Sequence, residues 1–331
     1  PIQPVAVCGI EHARVVGLDR RKHPHGAIVT PNSVHPGVSG RLYRRCMPDA
    51  LPMPRSLSPS SMSTFTSCPL AFRFSYIDRL PEAPSAPASK GTLVHLALQH
   101  LMWRPPADRT IENGLLDLAR ALEEVAEDPE FAHLDLTDEE WAGFHADAEV
   151  LLRKYFEIED PTQITVLGLE LRVTAETADG VVIRGIIDRL ELDADGELVV
   201  TDYKTGREPG QGWEQQSLAG VHIYSLLCER MLGRRPKRVQ LLYLSKPERI
   251  ITYPSDQSVR GVEVKSGAVM KAVRSACARA DFRPRASGLC AYCSFREFCP
   301  AFGGDPAQAA PVMLARQAER EGRPQLPLVI V

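Results

Sequence analysis

The sequence lacks several features that would place a protein at a membrane or in an ATP-driven machine. No uninterrupted apolar run approaches the ~20 residues that span a bilayer, and no signal-peptide core follows the first residues. The nucleotide-binding motif G-x-x-x-x-G-K-[ST] is absent, and no internal repeat is found. We therefore expect a cytoplasmic protein without membrane contact and without helicase activity of its own.

What is present is typical of a globular protein, with 44% hydrophobic and 24% charged residues. The 331 residues suffice for one large domain or two small ones. The charges are uneven: residues 111–160 carry 16 Asp/Glu against 3 Lys/Arg, whereas residues 229–300 carry 15 basic against 6 acidic residues. A basic lobe beside an acidic one suits a polyanion bound from one side, although two solvated faces of opposite sign are the simpler interpretation.

The chain divides into three parts. Residues 1–52 have scattered Pro, Gly and His without a period, which predicts a disordered tail, and Met53 would then open the domain. Residues 53–302 form the predicted domain, and residues 303–331 a loosely attached C-terminal tail. Within the domain we predict a helix capped by Ser60 or Ser61, a loop over 81–90, a buried helix over 91–103, two or three acidic helices within 111–157, three β runs within 164–205, a helix over 212–232, a strand over 238–245 and a basic helix over 262–280.

The segment GIIDRLELDADGELVVTDYKTG places Asp188, Asp202 and Lys204 in apolar β runs, where charges are costly unless they serve one another or a ligand. Gly196 supplies the positive φ of a hairpin turn. A loop over 194–196 pairs residues whose numbers sum to 390, which sets Asp188 opposite Asp202. Adjacent carboxylates repel unless a cation separates them, and Mg²⁺ prefers oxygen ligands. Lys204 could act on a phosphate or on the attacking water, so the two aspartates and the lysine together predict phosphodiester hydrolysis. The structural alternative is an exposed ladder of ion pairs.

Further ligand candidates are one histidine and four cysteines. His95 lies in the apolar stretch GTLVHLALQHL, where an imidazole is either simply hydrogen-bonded or a further metal ligand. The spacing C-x2-C-x5-C at Cys290, Cys293 and Cys299 needs a fourth ligand, for which Cys68 is the best candidate. Zinc commonly takes two close pairs, whereas one solitary cysteine joined to three favours a [4Fe–4S] cluster. Taken alone, Cys68 is equally well a buried helix residue.

The motifs SCPLAFRFSYIDRLP, KGTLVHLAL, GIIDRL, TDYKTG and CAYCSFREFCP occur in that order. Together they resemble the RecB-family, or Cas4-like, nucleases of the PD-(D/E)XK superfamily over residues 58–299. The resemblance implies an α/β, restriction-endonuclease-like fold with a central mixed sheet flanked by helices, here with an inserted acidic helical region. It also implies Mg²⁺ or Mn²⁺ bound by His95, Asp188, Asp202 and the carbonyl of Tyr203, catalysis by Lys204 with Asp188 and Asp202, and a [4Fe–4S] staple on Cys68, Cys290, Cys293 and Cys299.

One motif departs from that family. Its members usually carry Q-x-x-x-Y in the helix after the catalytic lysine, but here Gly220 stands four residues before Tyr224. Gln216 lies one further turn back and is the substitute candidate. Glu170, in GLELRV, is an additional acidic candidate. The departure concerns how DNA is held near the metal rather than the metal ligands.

We therefore expect a divalent-metal-dependent DNA exonuclease of repair or recombination. Its substrate would be single-stranded DNA or free DNA ends, and a helicase or another repair protein is the expected partner. Two alternatives remain at this stage. One is a catalytically weak DNA-binding accessory protein with the same fold, and the other is an iron–sulfur or zinc redox sensor with an incidental acidic patch. A nuclease assay separates the first two, and metal analysis tests the third.

Overall fold

The computed structural model describes residues 50–206 and 214–322, except for the side chains of residues 214–219. The centre of this part is a mixed sheet of β1 (Thr165–Glu176), β2 (Val182–Leu192), β3 (Leu198–Lys204), β4 (Arg238–Tyr243) and β5 (Glu248–Thr252), in that spatial order. Neighbouring strands are antiparallel except for β3 and β4, which are parallel. With helices on both faces, this confirms the predicted α/β fold.

The helices follow the predicted order along the chain. They are α1 (Pro59–Ser67), α2 (Pro69–Phe72), α3 (Ala86–Trp103), α4 (Ile111–Val125), α5 (Pro129–Ala132), α6 (Asp138–Ile158), α7 (Glu214–Leu232), α8 (Asp256–Arg279) and α9 (Ala309–Arg320), with a π-helical stretch Arg73–Ile77 after α2. None of the helices in the described part of the chain is long and apolar enough to cross a membrane.

The β2–β3 hairpin has the predicted register. Arg189 pairs with Thr201 and Leu192 with Leu198, so the residue numbers of each pair sum to 390. Gly196 has a φ of +74°, which glycine adopts at little cost. The Asp193 carboxylate accepts hydrogen bonds from backbone nitrogens inside the turn and at its end, and these bonds hold the loop in place.

Two hydrophobic cores lie on opposite faces of the sheet. The first packs α1, α2, α7 and α8 against residues such as Ile183, Ile187 and Val200. The second packs the inserted acidic helices and α3 against Tyr203 and Leu242. In α4, the spacing of buried Leu118, Ala121 and Val125 gives one apolar stripe, which explains how a strongly acidic segment still folds onto the domain.

Several local boundaries differ from the sequence predictions. Ser58, rather than Ser60 or Ser61, caps α1, and it exchanges capping hydrogen bonds with Ser61. Helix α3 begins at Ala86, inside the predicted loop, because a proline is tolerated in the first turn of a helix. Strand β5 was not predicted. Its sequence is partly charged because it is an edge strand with one partner, β4.

The two predicted tails lie partly outside the described residues. Of residues 1–52, only 50–52 are described, and the Leu51 nitrogen donates to the Cys277 carbonyl at 3.0 Å. Of residues 303–331, those up to 322 are described and include α9, whose Ala309 and Met313 are buried in the first core. The prediction of a loose tail was wrong for this described part, because one apolar helix stripe is enough to attach it.

Candidate active site

Acidic side chains from three neighbouring strands meet on the sheet. Glu170 of β1 lies level with Asp188 of β2, because the pairs on either side of them share one register. Asp202 of β3 lies one step beyond the last β2–β3 pair, next to Asp188. Ligand atoms of His95, Glu170 and Asp188 lie within 4.8 Å of one another. The closest set thus contains two of the predicted ligands and the accessory candidate Glu170, whereas Asp202 contacts Lys204.

The backbone is irregular where these residues meet. Glu170 has a φ of +45°, which is uncommon for any residue except glycine. Strict alternation would place Ile187 and Arg189 on one face of β2. Ile187 instead belongs to the first core, while the Arg189 Nη1 donates to the Tyr203 hydroxyl in the second. The strand therefore exchanges faces at Asp188, and strained backbone of this kind is concentrated at functional sites.

His95 reaches the carboxylates from helix α3. Its Nδ1 is 3.6 Å from Oδ2 of Asp188, which also accepts a hydrogen bond of 2.7 Å from the Tyr203 nitrogen. The approach of α3 depends on Gly91, since a Cβ there would lie 3.0 Å from Oγ1 of Thr205. Burial lowers the pKa of His95, so the imidazole is neutral at pH 7 and retains a lone pair for a metal ion.

Burial and mutual repulsion act on the charges of the site. Burial, followed by the charge of Asp202, raises the pKa of Asp188 to about 7. Burial and then the charge of Asp188 raise the pKa of Glu170. Burial lowers the pKa of Lys204. The nearby acidic groups, above all Asp202, which contacts the ammonium, raise it by more, so the net shift is upward. The site combines crowded carboxylates, which a cation would stabilise, with one ammonium beside them.

The site opens into a cavity of about 920 Å³, here called the main cavity. Glu170, Asp188 and Lys204 line it together with Arg172 and Arg184. Both arginines are exposed, and neither forms an ion pair with any residue in the described ranges. An anion in the main cavity would therefore meet two guanidinium groups that no carboxylate of the described residues neutralises.

Tyr224 of α7 lines the main cavity. A Cβ at Gly185 would lie 3.0 Å from the Tyr224 ring, so the glycine in β2 lets the ring approach. Burial, followed by the charges of Asp202 and Asp188, raises the pKa of Tyr224. Its hydroxyl is therefore a protonated donor at pH 7. The side chain of Gln216, the other accessory candidate on this helix, lies outside the described residues.

The basic segment 229–300 does not line the main cavity in the described part of the chain. Many of its cations contact carboxylates instead, among them Arg230, Arg234, Arg235, Lys237, Arg238 and Arg249. The simpler interpretation of the charge asymmetry fits these residues. The arginines at the cavity come from β1 and β2, where the overall charge count gave no signal.

Sequence reasoning missed the buried Arg189, which directly follows Asp188. Its side chain is fully buried, contacts Glu191, and places Nη1 2.6 Å from the Glu159 carboxylate and 2.7 Å from the Tyr203 hydroxyl. Because the Tyr203 nitrogen holds Asp188, this network supports the site from the far face of the sheet. The sequence signal was an arginine within an apolar run. A buried charge without partners is too costly, so such an arginine indicates buried partners.

The four predicted cluster cysteines lie near one another, although Cys68 is far from the other three in the chain. Cys68 ends α1, and its Sγ accepts a hydrogen bond of 3.5 Å from the Arg285 nitrogen. Burial raises the pKa of the Cys293 thiol, and the charges of Cys68, Cys290 and Cys299 act in the same direction. No three of these sulfur atoms lie within 4.8 Å of one another, although all four residues are in the described part.

Several known proteins are similar to this chain. The family model described as the PD-(D/E)XK nuclease superfamily matches residues 56–300. "Gene 69 protein" of Mycobacterium phage D29 is 25% identical over 196 residues, which is 53% of this chain and 70% of the phage protein. Among solved structures, SSO0001 is 15% identical with a TM-score of 0.35, covering 75% of this chain and 86% of that one. A provisionally named exonuclease from Eubacterium rectale is 12% identical with a TM-score of 0.46, covering 72% and 87%.

Proposed function

The chain belongs to the PD-(D/E)XK nuclease superfamily, a group of metal-dependent nucleases, and from this premise we propose that it is a DNA exonuclease of the RecB or Cas4-like branch. The proposed process is DNA repair or recombination, and the proposed nuclease domain spans residues 53–302. The observation that carries the proposal is the meeting of His95, Glu170 and Asp188 beside Lys204, in a cavity that free arginines line.

The donor set fits a small divalent cation. Two carboxylates and one neutral imidazole are ligands that Mg²⁺ or Mn²⁺ accepts. Burial, followed by the charge of Asp202, raises the pKa of Asp188, and a bound cation would offset both effects. The residues proposed to hold the ion are His95, Glu170, Asp188, Asp202 and the carbonyl of Tyr203. When bound, the ion would supply charge stabilisation and a more acidic water for phosphodiester hydrolysis.

The chain's own residues supply the remaining functions. The Lys204 ammonium is held beside Asp202 and faces the main cavity, where it can stabilise charge that develops on the phosphate. The Tyr224 hydroxyl is a protonated donor at the same wall. Arg172 and Arg184 are proposed to bind phosphates next to the scissile one. Arginine suits this role because its planar fork matches phosphate oxygens.

We propose further that Cys68, Cys290, Cys293 and Cys299 hold a [4Fe–4S] cluster that pins α1 to the C-terminal turns. A tetrahedral zinc site with bonds of about 2.3 Å would bring its sulfur atoms to within roughly 4 Å of one another. In a [4Fe–4S] cluster each thiolate binds a different iron atom, so wider spacing is expected. What supports a shared site is that Cys68, Cys290 and Cys299 all lie close enough to the Cys293 thiol for their charges to raise its pKa.

Removal of the divalent ion should make stability depend on pH. The folded pKa of Asp188, about 7, exceeds the ordinary value of 3.8, so the metal-free fold binds more protons than the unfolded chain within that window. Its stability should therefore fall as the pH rises from about 4 to 7. We expect Mn²⁺ to raise the melting temperature by several degrees at pH 8 and by little at pH 5, measured by thermal unfolding with and without EDTA. The same gain at both pH values would contradict the assignment of Asp188 to the metal site.

The exonuclease activity is tested with DNA labelled at one end. Purified protein with Mn²⁺ or Mg²⁺ should release short products progressively from single-stranded or free-ended DNA, and a closed circle of the same sequence should stay intact. Cleavage of the circle would show an endonuclease instead. If neither DNA is cut, even with a helicase partner supplied, but both are bound, the DNA-binding accessory function replaces the exonuclease.

A further inference from the structure

A second cavity of about 580 Å³ adjoins the main cavity. Arg184 lines both cavities, and the segment from Pro54 to Ser61 contributes residues to each. Arg55, Tyr76, Arg79 and Arg184 are among the residues that line the second cavity. A ligand chain that passes Arg184 can therefore extend from one cavity into the other.

The second cavity carries positive charge that no acidic group of its lining offsets. Arg55, Arg79 and Arg184 are exposed, and across the described ranges none of the three forms an ion pair. Of the nearby carboxylates, Asp78 pairs with Arg73. Glu82 accepts a hydrogen bond of 3.0 Å from the lining residue Ser75, so it brings one negative charge to the edge of a cavity that three arginines line. Three free guanidinium groups in one concave polar surface fit an anionic ligand with several charges.

The wall of the second cavity also offers an aromatic ring on a fixed support. The Tyr76 ring stacks on Phe72 with centroids 5.2 Å apart, and Phe72 itself is fully buried. Tyr76 belongs to the π-helical stretch, a form that is rare and often marks functional sites. Arg79, just after this stretch, has a φ of +51° and is fixed by the hydrogen bond from the Leu80 nitrogen to the Phe74 carbonyl.

We propose that the second cavity binds the single strand of nucleic acid that continues from the scissile phosphate, with phosphates at Arg184, Arg55 and Arg79 and a base on Tyr76. This inference rests on the proposed nuclease function and extends it by assigning a path to the strand beyond the scissile phosphate. Free cations beside a sequence-tolerant aromatic platform are what proteins use to hold single strands. A compact single anion would leave most of this extended surface without a partner.

The test is the length dependence of DNA binding, measured without cleavage. Fluorescein-labelled oligothymidylates, from dinucleotide to dodecanucleotide, are titrated with protein in EDTA, and binding is followed by anisotropy. The variant is Arg55→Gln/Arg79→Asn, because asparagine tolerates the left-handed backbone at Arg79. We expect it to bind the shortest probes like the wild type and the longest roughly ten-fold more weakly. Its slope of log Kd against log salt should fall by about 1.4, since each phosphate contact on a single strand contributes about 0.7.

The matched control is Arg153→Gln/Arg260→Gln, which removes two exposed arginines that line neither cavity. It has the same change of net charge and should bind every probe like the wild type. Equal binding of the longest probes by wild type and the Arg55/Arg79 variant, or an equal loss in the control, would overturn the strand path.

Hydrolysis of the p-nitrophenyl ester of thymidine 5′-monophosphate with Mn²⁺ reports on the metal site alone. A length effect without any hydrolysis would support the strand path and refute the nuclease.

Discussion

Replacement of Lys204 by alanine is expected to slow DNA cleavage by about 10²–10³-fold, which is the usual cost of losing one preorganised group that stabilises transition-state charge. The affinity for Mn²⁺ should change little, because Lys204 is not among the residues proposed to hold the ion. Single-turnover cleavage and calorimetric Mn²⁺ titration measure the two effects separately. DNA binding should persist, since the guanidinium groups of Arg172 and Arg184 remain.

A matched control is available in Lys237→Ala. Both lysines are 43% exposed, and both contact aspartates, but Lys237 pairs with Asp195 at the far end of the hairpin. The control should cleave like the wild type. Equal rates for wild type and Lys204→Ala would place the chemistry elsewhere or in a contaminant.

Asp202→Asn separates two roles for the carboxylate that contacts Lys204. If Asp202 is a metal ligand, the substitution should weaken Mn²⁺ binding. If Asp202 only positions Lys204, the substitution should slow cleavage and leave the Mn²⁺ affinity unchanged. We expect both losses, because the charge of Asp202 also acts on Asp188.

The second large effect is expected from Cys68→Ala. Protein purified without oxygen should be brown with equal amounts of iron and sulfide, and the variant should lose the colour and melt roughly 10 °C lower, since it cuts a clamp between distant segments. Absorption, iron and sulfide analysis and thermal unfolding provide the measurements. Stoichiometric zinc without iron would refute the cluster.

Cys228→Ala is the control that distinguishes ligation from packing. Cys228 is completely buried in the first core, whereas Cys68 is only partly buried. If packing alone mattered, the Cys228 variant would be the less stable of the two, because buried atoms cost more to remove. A cluster reverses this order. An unchanged cluster in Cys68→Ala would remove Cys68 from the ligand set.

Much of the local structure followed from the sequence alone. Gly196 and the alternation around it determined the β2–β3 hairpin and its register, because turn chemistry and a period of two act over a few residues. The position of α3 followed from its mostly apolar sequence, and the acidic helices followed from their amphipathic pattern. The boundary errors at Ser58 and Ala86 came from capping and proline tolerance, which shift helix ends by a few residues.

Only the tertiary structure decided which distant groups meet. Glu170 joins the acidic cluster because the β1–β2 register sets it level with Asp188, and strand alternation reveals neither this register nor the positive φ of Glu170. Many cations of 229–300 form ion pairs, whereas Arg172 and Arg184 at the main cavity form none with a described residue, and a charge count does not distinguish the two cases. The sequence by itself determined the hairpin that carries Asp188, Asp202 and Lys204. Helix packing on both faces of the sheet decided what surrounds them, because contacts between distant segments depend on how whole elements bury their apolar faces.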